Sequence, residues 1–118
     1  MSLISLGIDI GSTTVKLVAV NGEKIVYKRY ERHFSKVREK ACEMLRDAAE
    51  ILKNNIIKVA ITGSAGLGVA KAGNLDFVQE IFATRKAVGT HVPNADVVIE
   101  LGGEDAKIIF LKGQLEER

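Results

Sequence analysis

Apolar and polar positions alternate through the first third of the chain. Leu3, Ile4, Leu6, Ile8 and Ile10 predict a buried strand over 3–10. Gly11-Ser12-Thr13-Thr14 reads as a turn, and Val15–Val20 as a second strand. Asn21-Gly22 is a strong hairpin signal, because both residues tolerate the positive φ that a type I′ turn needs. A third strand is predicted over Lys24–Arg32, so the chain opens with three antiparallel strands. The period then changes. Val37, Ala41, Met44, Leu45, Ala48, Ile51 and Leu52 recur at helical spacing, which predicts an amphipathic helix to about Lys53 with Ser35 as its N-cap.

Beyond Asn54-Asn55, the β-branched run Ile56–Ile61 predicts a fourth strand. Gly63, Gly66 and Gly68 predict a loop leading into a short helix near Val69–Ala72. Phe77 to about Thr90 carries a further helical pattern, ended by Pro93-Asn94. Val97–Leu101 and Ala106–Leu111 predict two strands joined at Gly102-Gly103. A hairpin-led sheet followed by crossover helices predicts an α/β fold of the ribonuclease-H-like kind, a mixed sheet led by three antiparallel strands with flanking helices.

Composition narrows the function classes. The 118 residues fit one core, and 47% hydrophobic with 27% charged residues predicts a folded globule. The net charge of +2 is dispersed, and aromatics are 5% with no Trp, so neither a basic footprint nor a base-stacking platform for nucleic acid is predicted. The single cysteine, Cys42, cannot form an internal disulfide. No apolar run approaches the roughly 20 residues that span a bilayer, and no signal-peptide pattern opens the chain. A cytoplasmic location without membrane attachment is expected.

Two segments carry candidate chemistry. The first runs Asp9-Ile10-Gly11-Ser12-Thr13-Thr14-Val15-Lys16 between two strands. Gly11 lets a ligand approach the backbone closely, successive N–H groups of such a turn form an anion-binding concavity, and Ser12, Thr13 and Thr14 add hydroxyls. Asp9, at a strand end, suits Mg²⁺ held through water, and Lys16 suits a phosphate. The second segment, Glu100-Leu101-Gly102-Gly103-Glu104-Asp105-Ala106-Lys107, repeats the design: an apolar strand, paired glycines, acidic residues, then another strand. Each is also readable as a tight hairpin turn. Together they predict two jaws that clamp the phosphates of one nucleotide.

Asp9-Ile10-Gly11-Ser12 followed by Lys16 resembles the first phosphate motif of the actin, Hsp70 and sugar-kinase superfamily. Within it, Gly7–Lys16 and Gly102–Lys107 resemble the BadF/BadG/BcrA/BcrD family, the ATPase activators of 2-hydroxyacyl-CoA dehydratases and the related benzoyl-CoA reductase subunits. The resemblance implies ATP/ADP and Mg²⁺ as ligands, with Asp9 and Asp105 as catalytic carboxylates. It implies Gly11, Ser12, Thr13, Thr14, Lys16, Gly102, Gly103 and Glu104 as nucleotide contacts. It further implies a CoA-thioester dehydratase or reductase as partner and a homodimer sharing a [4Fe–4S] cluster on cysteines outside this chain. Residues 1–95 would be the first ATPase lobe and 96–118 the opening hairpin of a truncated second lobe, so the chain looks like an excerpt of a longer protein. Stand-alone activators usually carry Gln at Glu104 and tend to carry a Cys-His pair at Ala83-Thr84, and there this chain departs from them, while Phe77–Glu80 and Glu100–Asp105 look most like the long fused activase members.

Two rival readings share these motifs: a small-molecule kinase of the N-acetylglucosamine type, and a non-catalytic regulatory or assembly domain. Other signals are weaker. Gly63–Gly68 lacks the Gly-Lys-Ser/Thr ending of a Walker A loop and the third glycine of a dinucleotide fingerprint, and reads as a strand-to-helix turn. His33 and His91 are too far apart in sequence to suggest a metal cluster, and Cys42 reads as a core residue. Glu80 reads as an acidic residue at the positive end of a helix.

Overall fold

The structure, a computed structural model, describes residues 2–102 and 106–111. Strand β1 (Leu3–Ile10) buries every second residue, Ile4, Leu6, Ile8 and Ile10, on one face. β2 (Thr14–Asn21) pairs with it antiparallel and buries Val15, Leu17 and Ala19 on the same face. β3 (Lys24–Arg32) pairs antiparallel with β2. Helix α1 (Val37–Leu52) then carries the chain to β4 (Ile56–Thr62), which lies parallel to β1 on its other side. Parallel neighbours need such a crossover, because a tight turn can only reverse the chain. Met44 and Ala48 of α1 close over the buried side chains of β1, β2 and β4.

Helix α2 (Gly66–Gly73) follows and adds Ala70 to the core. Its end is capped by Asn74 in the left-handed region, while Leu75 N–H bonds Ala70 O at 2.8 Å. β5 (Asp76–Phe77) then pairs parallel with β4, giving the sheet order β3-β2-β1-β4-β5. These elements make one compact unit, residues 1–78.

The second unit, residues 79–118, contains α3 (Glu80–His91) and the antiparallel pair β6 (Val97–Leu101) and β7 (Ala106–Phe110). Asp96 O accepts from Leu111 N–H at 2.8 Å, which closes the open end of that pair. One face of the ribbon, with Val97, Ile99 and Leu101 across from Phe110, Ile108 and Ala106, is exposed, whereas Ile109 on the other face is buried.

Several sequence expectations are corrected here. The β2–β3 turn lies at Gly22-Glu23, one residue later than Asn21-Gly22, since Asn21 pairs with Lys24 and only Gly22 has positive φ. That puts glycine at the first central position, as a type II′ turn demands. A register shift between Ala19 and Val20 accommodates the change. Ser35 is not the N-cap of α1; Lys36 is, and no side chain caps it. α2 begins at Gly66 rather than Val69, because glycines placed in a helix are entropically costly and hide its start. Phe77 belongs to β5, so α3 starts at Glu80. Cys42 is exposed, since it lies off the Met44–Ala48 stripe of α1. None of the described helices is long and apolar enough to cross a membrane.

Candidate functional site

The first candidate site grows from register. Asp9 and Lys16 are direct cross-strand partners at the last rungs of the β1–β2 ladder, and Ile10 faces Val15 one step further on. The odd positions of β1 point away from the core, so both charged side chains stand on the open face of the sheet beside the 11–14 turn. Lys16 Nζ lies 3.6 Å from Asp9 Oδ2 and 5.3 Å from the centre of the Tyr30 ring, its neighbour on β3. The ammonium is thus poised between a carboxylate and an aromatic face without a tight bond to either. Both side chains keep substantial exposure, 27% for Lys16 and 43% for Asp9, and so stay open to a ligand.

Three carbonyls of the turn, those of Gly11, Thr13 and Thr14, are committed. Gly11 N–H donates to Thr14 O at 2.9 Å. Thr13 O accepts from His33 N–H at 3.0 Å, and Gly11 O lies 3.0 Å from His33 Nε2. The N–H groups of Ser12 and Thr13 have no backbone acceptor among the described residues. A turn with carbonyls held back and successive N–H groups free is suited to an anion.

Two glycines at the site are glycine for different reasons. A Cβ on Gly11 would meet Lys16 Nζ at 3.5 Å and Thr14 O at 3.7 Å, ordinary contact distances, so the protein alone does not demand glycine there. A methyl there would lie against the ammonium. Gly63 is demanded by the protein: its φ is +102°, and a Cβ would fall 2.6 Å from Asp9 Oδ1 and overlap Ile10 O. Ile10 O also accepts from Ala65 N–H at 2.9 Å. The 63–66 turn after β4 is therefore fastened against the end of β1 that carries Asp9. Thr62, in parallel register with Asp9, has a buried Oγ1 without a hydrogen-bond partner in this structure.

His33 was not among the sequence candidates. It is the one buried polar or charged residue among those described, at 5% exposure. It directly follows β3, and the chain leaves it toward α1 through Phe34 and Ser35, both left-handed at φ 51° and 64°. Consecutive non-glycine residues in that region cost on the order of 1–2 kcal/mol each. Ser35 N–H donates to His33 Nδ1 at 3.0 Å. A neighbouring-strand histidine with no helical or metal-ligand spacing leaves no signal in one sequence.

In the 79–118 unit, Glu100 and Lys107 are cross-strand partners, with Lys107 Nζ 3.5 Å from Glu100 Oε1 and 3.2 Å from Glu80 Oε1. Glu80, at the start of α3, is thus tied to the ribbon of the second motif. Gly102 directly follows β6, while Gly103, Glu104 and Asp105 lie outside the described residues. An open groove of about 410 Å³ beside Phe82, Arg85, Lys86 and Pro93 shares no residue with that motif. Among the described residues, no cluster of three or more His, Cys, Asp or Glu side chains could hold a metal by itself. Asp9 offers a single solvated carboxylate, which fits a hydrated Mg²⁺ bound mainly through water and ligand oxygens.

No family model matches the chain. It is 34% identical over 105 residues to an uncharacterized protein of Methanocaldococcus jannaschii, covering 88% of this chain and 42% of that protein. It is 30% identical over 118 residues to the (R)-2-hydroxyglutaryl-CoA dehydratase activating ATPase of Acidaminococcus fermentans, covering 95% and 44%. The crystal structure of component A of the (R)-2-hydroxyglutaryl-CoA dehydratase from Acidaminococcus fermentans superposes with TM-score 0.76 at 28% identity, over 94% of this chain and 44% of that one. The activator of the 2-hydroxyisocaproyl-CoA dehydratase from Clostridium difficile, with bound ADPNP, gives TM-score 0.71 at 25% identity, over 91% and 40%. The chain spans about two-fifths of the length of the curated relatives it matches.

Proposed function

We propose, from a chain whose homologues and structural neighbours are 2-hydroxyacyl-CoA dehydratase activators of the actin-like ATPase fold, that it is the first nucleotide-binding part of such an activator. The observation that carries this reading is the 11–14 turn, with the Gly11, Thr13 and Thr14 carbonyls occupied, the Ser12 and Thr13 N–H groups without a backbone acceptor among the described residues, and the Lys16 ammonium close beside Gly11. In this reading the turn amides and the hydroxyls of Ser12, Thr13 and Thr14 take phosphate oxygens of ATP or ADP, and Lys16 adds a charge-assisted bond. Asp9 orients water around a bound Mg²⁺, and Asp105 has the matching role that the family resemblance gives it. Gly102, Gly103 and Glu104 are the proposed contacts of the second motif. Mg²⁺, when bound, supplies charge neutralisation at the β- and γ-phosphates.

Residues 1–95 would form the first lobe and 96–118 the opening hairpin of the second. In the whole protein, ATP hydrolysis would drive the conformational change that lets an electron pass to a dehydratase or reductase acting on a CoA thioester. That protein would be a cytoplasmic homodimer. This chain's single cysteine, exposed on α1, does not fit a [4Fe–4S] cluster, which needs several thiolates, so a cluster would rest on cysteines outside it. The test is ATP turnover by the full-length protein with and without Asp9→Asn. A loss of about a hundredfold with an unchanged melting temperature is expected, as for removal of one electrostatic element of a phosphoryl-transfer site. An unchanged rate would sink the reading.

A further inference from the structure

Two of the three carbonyls that the 11–14 turn commits are held by one residue. His33 N–H takes Thr13 O, and its ring nitrogen Nε2 lies 3.0 Å from Gly11 O. The ring's other nitrogen settles which atom carries the hydrogen. Ser35 N–H can only donate, so Nδ1 accepts, and in the neutral imidazole Nε2 then carries the hydrogen and donates to Gly11 O. The two bonds are mutually required: the left-handed Phe34-Ser35 step brings the Ser35 amide to Nδ1, and that amide fixes the tautomer that can hold Gly11. The ring is sealed from solvent, so water does not replace either contact freely.

We propose that His33 is a positioning residue for the phosphate-binding turn. It draws the Gly11 carbonyl toward the protein and so keeps the Ser12 N–H of the same planar peptide, which points the opposite way, presented to an anion, while its bond to Thr13 O anchors the far side of the turn. This rests on the phosphate reading of the turn, and it adds a residue from β3–α1 that touches no ligand itself. Without the ring bond, the Gly11 peptide is free to rotate, and a carbonyl turned outward would face phosphate oxygens with like partial charge. The loss should therefore fall on phosphate-bearing ligands and spare the nucleoside. A merely structural histidine would weaken both equally or neither.

Two substitutions separate the bonds. His33→Gln can still donate from its amide to Gly11 O, whereas His33→Asn can still accept from Ser35 N–H but is too short to reach Gly11. In full-length protein, ¹⁵N-histidine spectra should give His33 as the Nε2–H tautomer. His33→Asn should weaken ADP binding about tenfold against His33→Gln, with adenosine affinity the same in both, as expected for one lost bond to a buried acceptor. An Nδ1–H tautomer, or equal ADP affinity in the two variants, would overturn the proposal. Should the wild type bind neither ADP nor adenosine, the nucleotide reading itself fails. The backbone amides of residues 11–14 then decide about His33: faster hydrogen exchange in His33→Asn than in His33→Gln supports the brace, and equal exchange refutes it.

Discussion

Gly11 and Gly63 sit within reach of the same carboxylate's surroundings, yet substitution should separate them completely. Gly11→Ala places its methyl at ordinary contact distance, so stability should hold within about 1 kcal/mol, while ADP affinity falls because the methyl occupies the space beside Lys16. Gly63→Ala forces an L side chain to φ +102° and into Ile10 O, and should cost on the order of 2–4 kcal/mol. Urea unfolding paired with ADP titration checks both. Asp9, Gly11 and Lys16 were readable from spacing, because a tight hairpin makes sequence neighbours into spatial ones. Gly63 and His33 were not. Their partners, Ile10 at the end of β1 and Gly11 in the turn after it, are distant in sequence, and only the assembled sheet brings them together.

At the scale of elements, β3 and α1 are joined by charge as well as by packing. Arg29 Nη2 lies 2.8 Å from Glu43, Nη1 3.3 Å from Asp47, and Nε 3.4 Å from Glu31, while Lys40 Nζ lies 3.3 Å from Glu43. Lys40 foremost, and Arg29 after it, hold the Glu43 carboxyl below its ordinary value. A depressed folded value contributes stability that is present above the unfolded carboxylate's pKa of about 4.3 and is lost as pH falls through the folded value. Glu43→Gln should therefore lower the urea midpoint slightly at pH 7, less so in high salt, and leave it unchanged once acid has protonated the wild-type carboxyl. An equal loss at both pH values would point to packing instead. The alternating strands β1, β3 and β6 matched their predicted bounds because one face of each differs in burial from the other. β5 escaped because a strand of 2 residues has no period to detect, and its pairing with β4 depends on where α2 releases the chain.

For the whole molecule, the element order gave the fold class, since three antiparallel strands followed by a helical crossover leave few ways to build the sheet. The proposed function comes only through motif resemblance, because a hairpin turn looks alike whether or not it binds phosphate. What supports a phosphate role is physical detail: the Gly11, Thr13 and Thr14 carbonyls are held, the Ser12 and Thr13 N–H groups have no backbone acceptor among the described residues, and the Lys16 ammonium lies beside Gly11. The account's central claim is that this turn holds nucleotide phosphate, and calorimetric titration of the full-length protein with ADP and with adenosine tests it most directly. Lys16→Ala should weaken ADP by about 10- to 100-fold, as for a charge-assisted bond, and leave adenosine within about twofold. Equal losses for the two ligands, or ADP bound no more tightly than adenosine by the wild type, would contradict it.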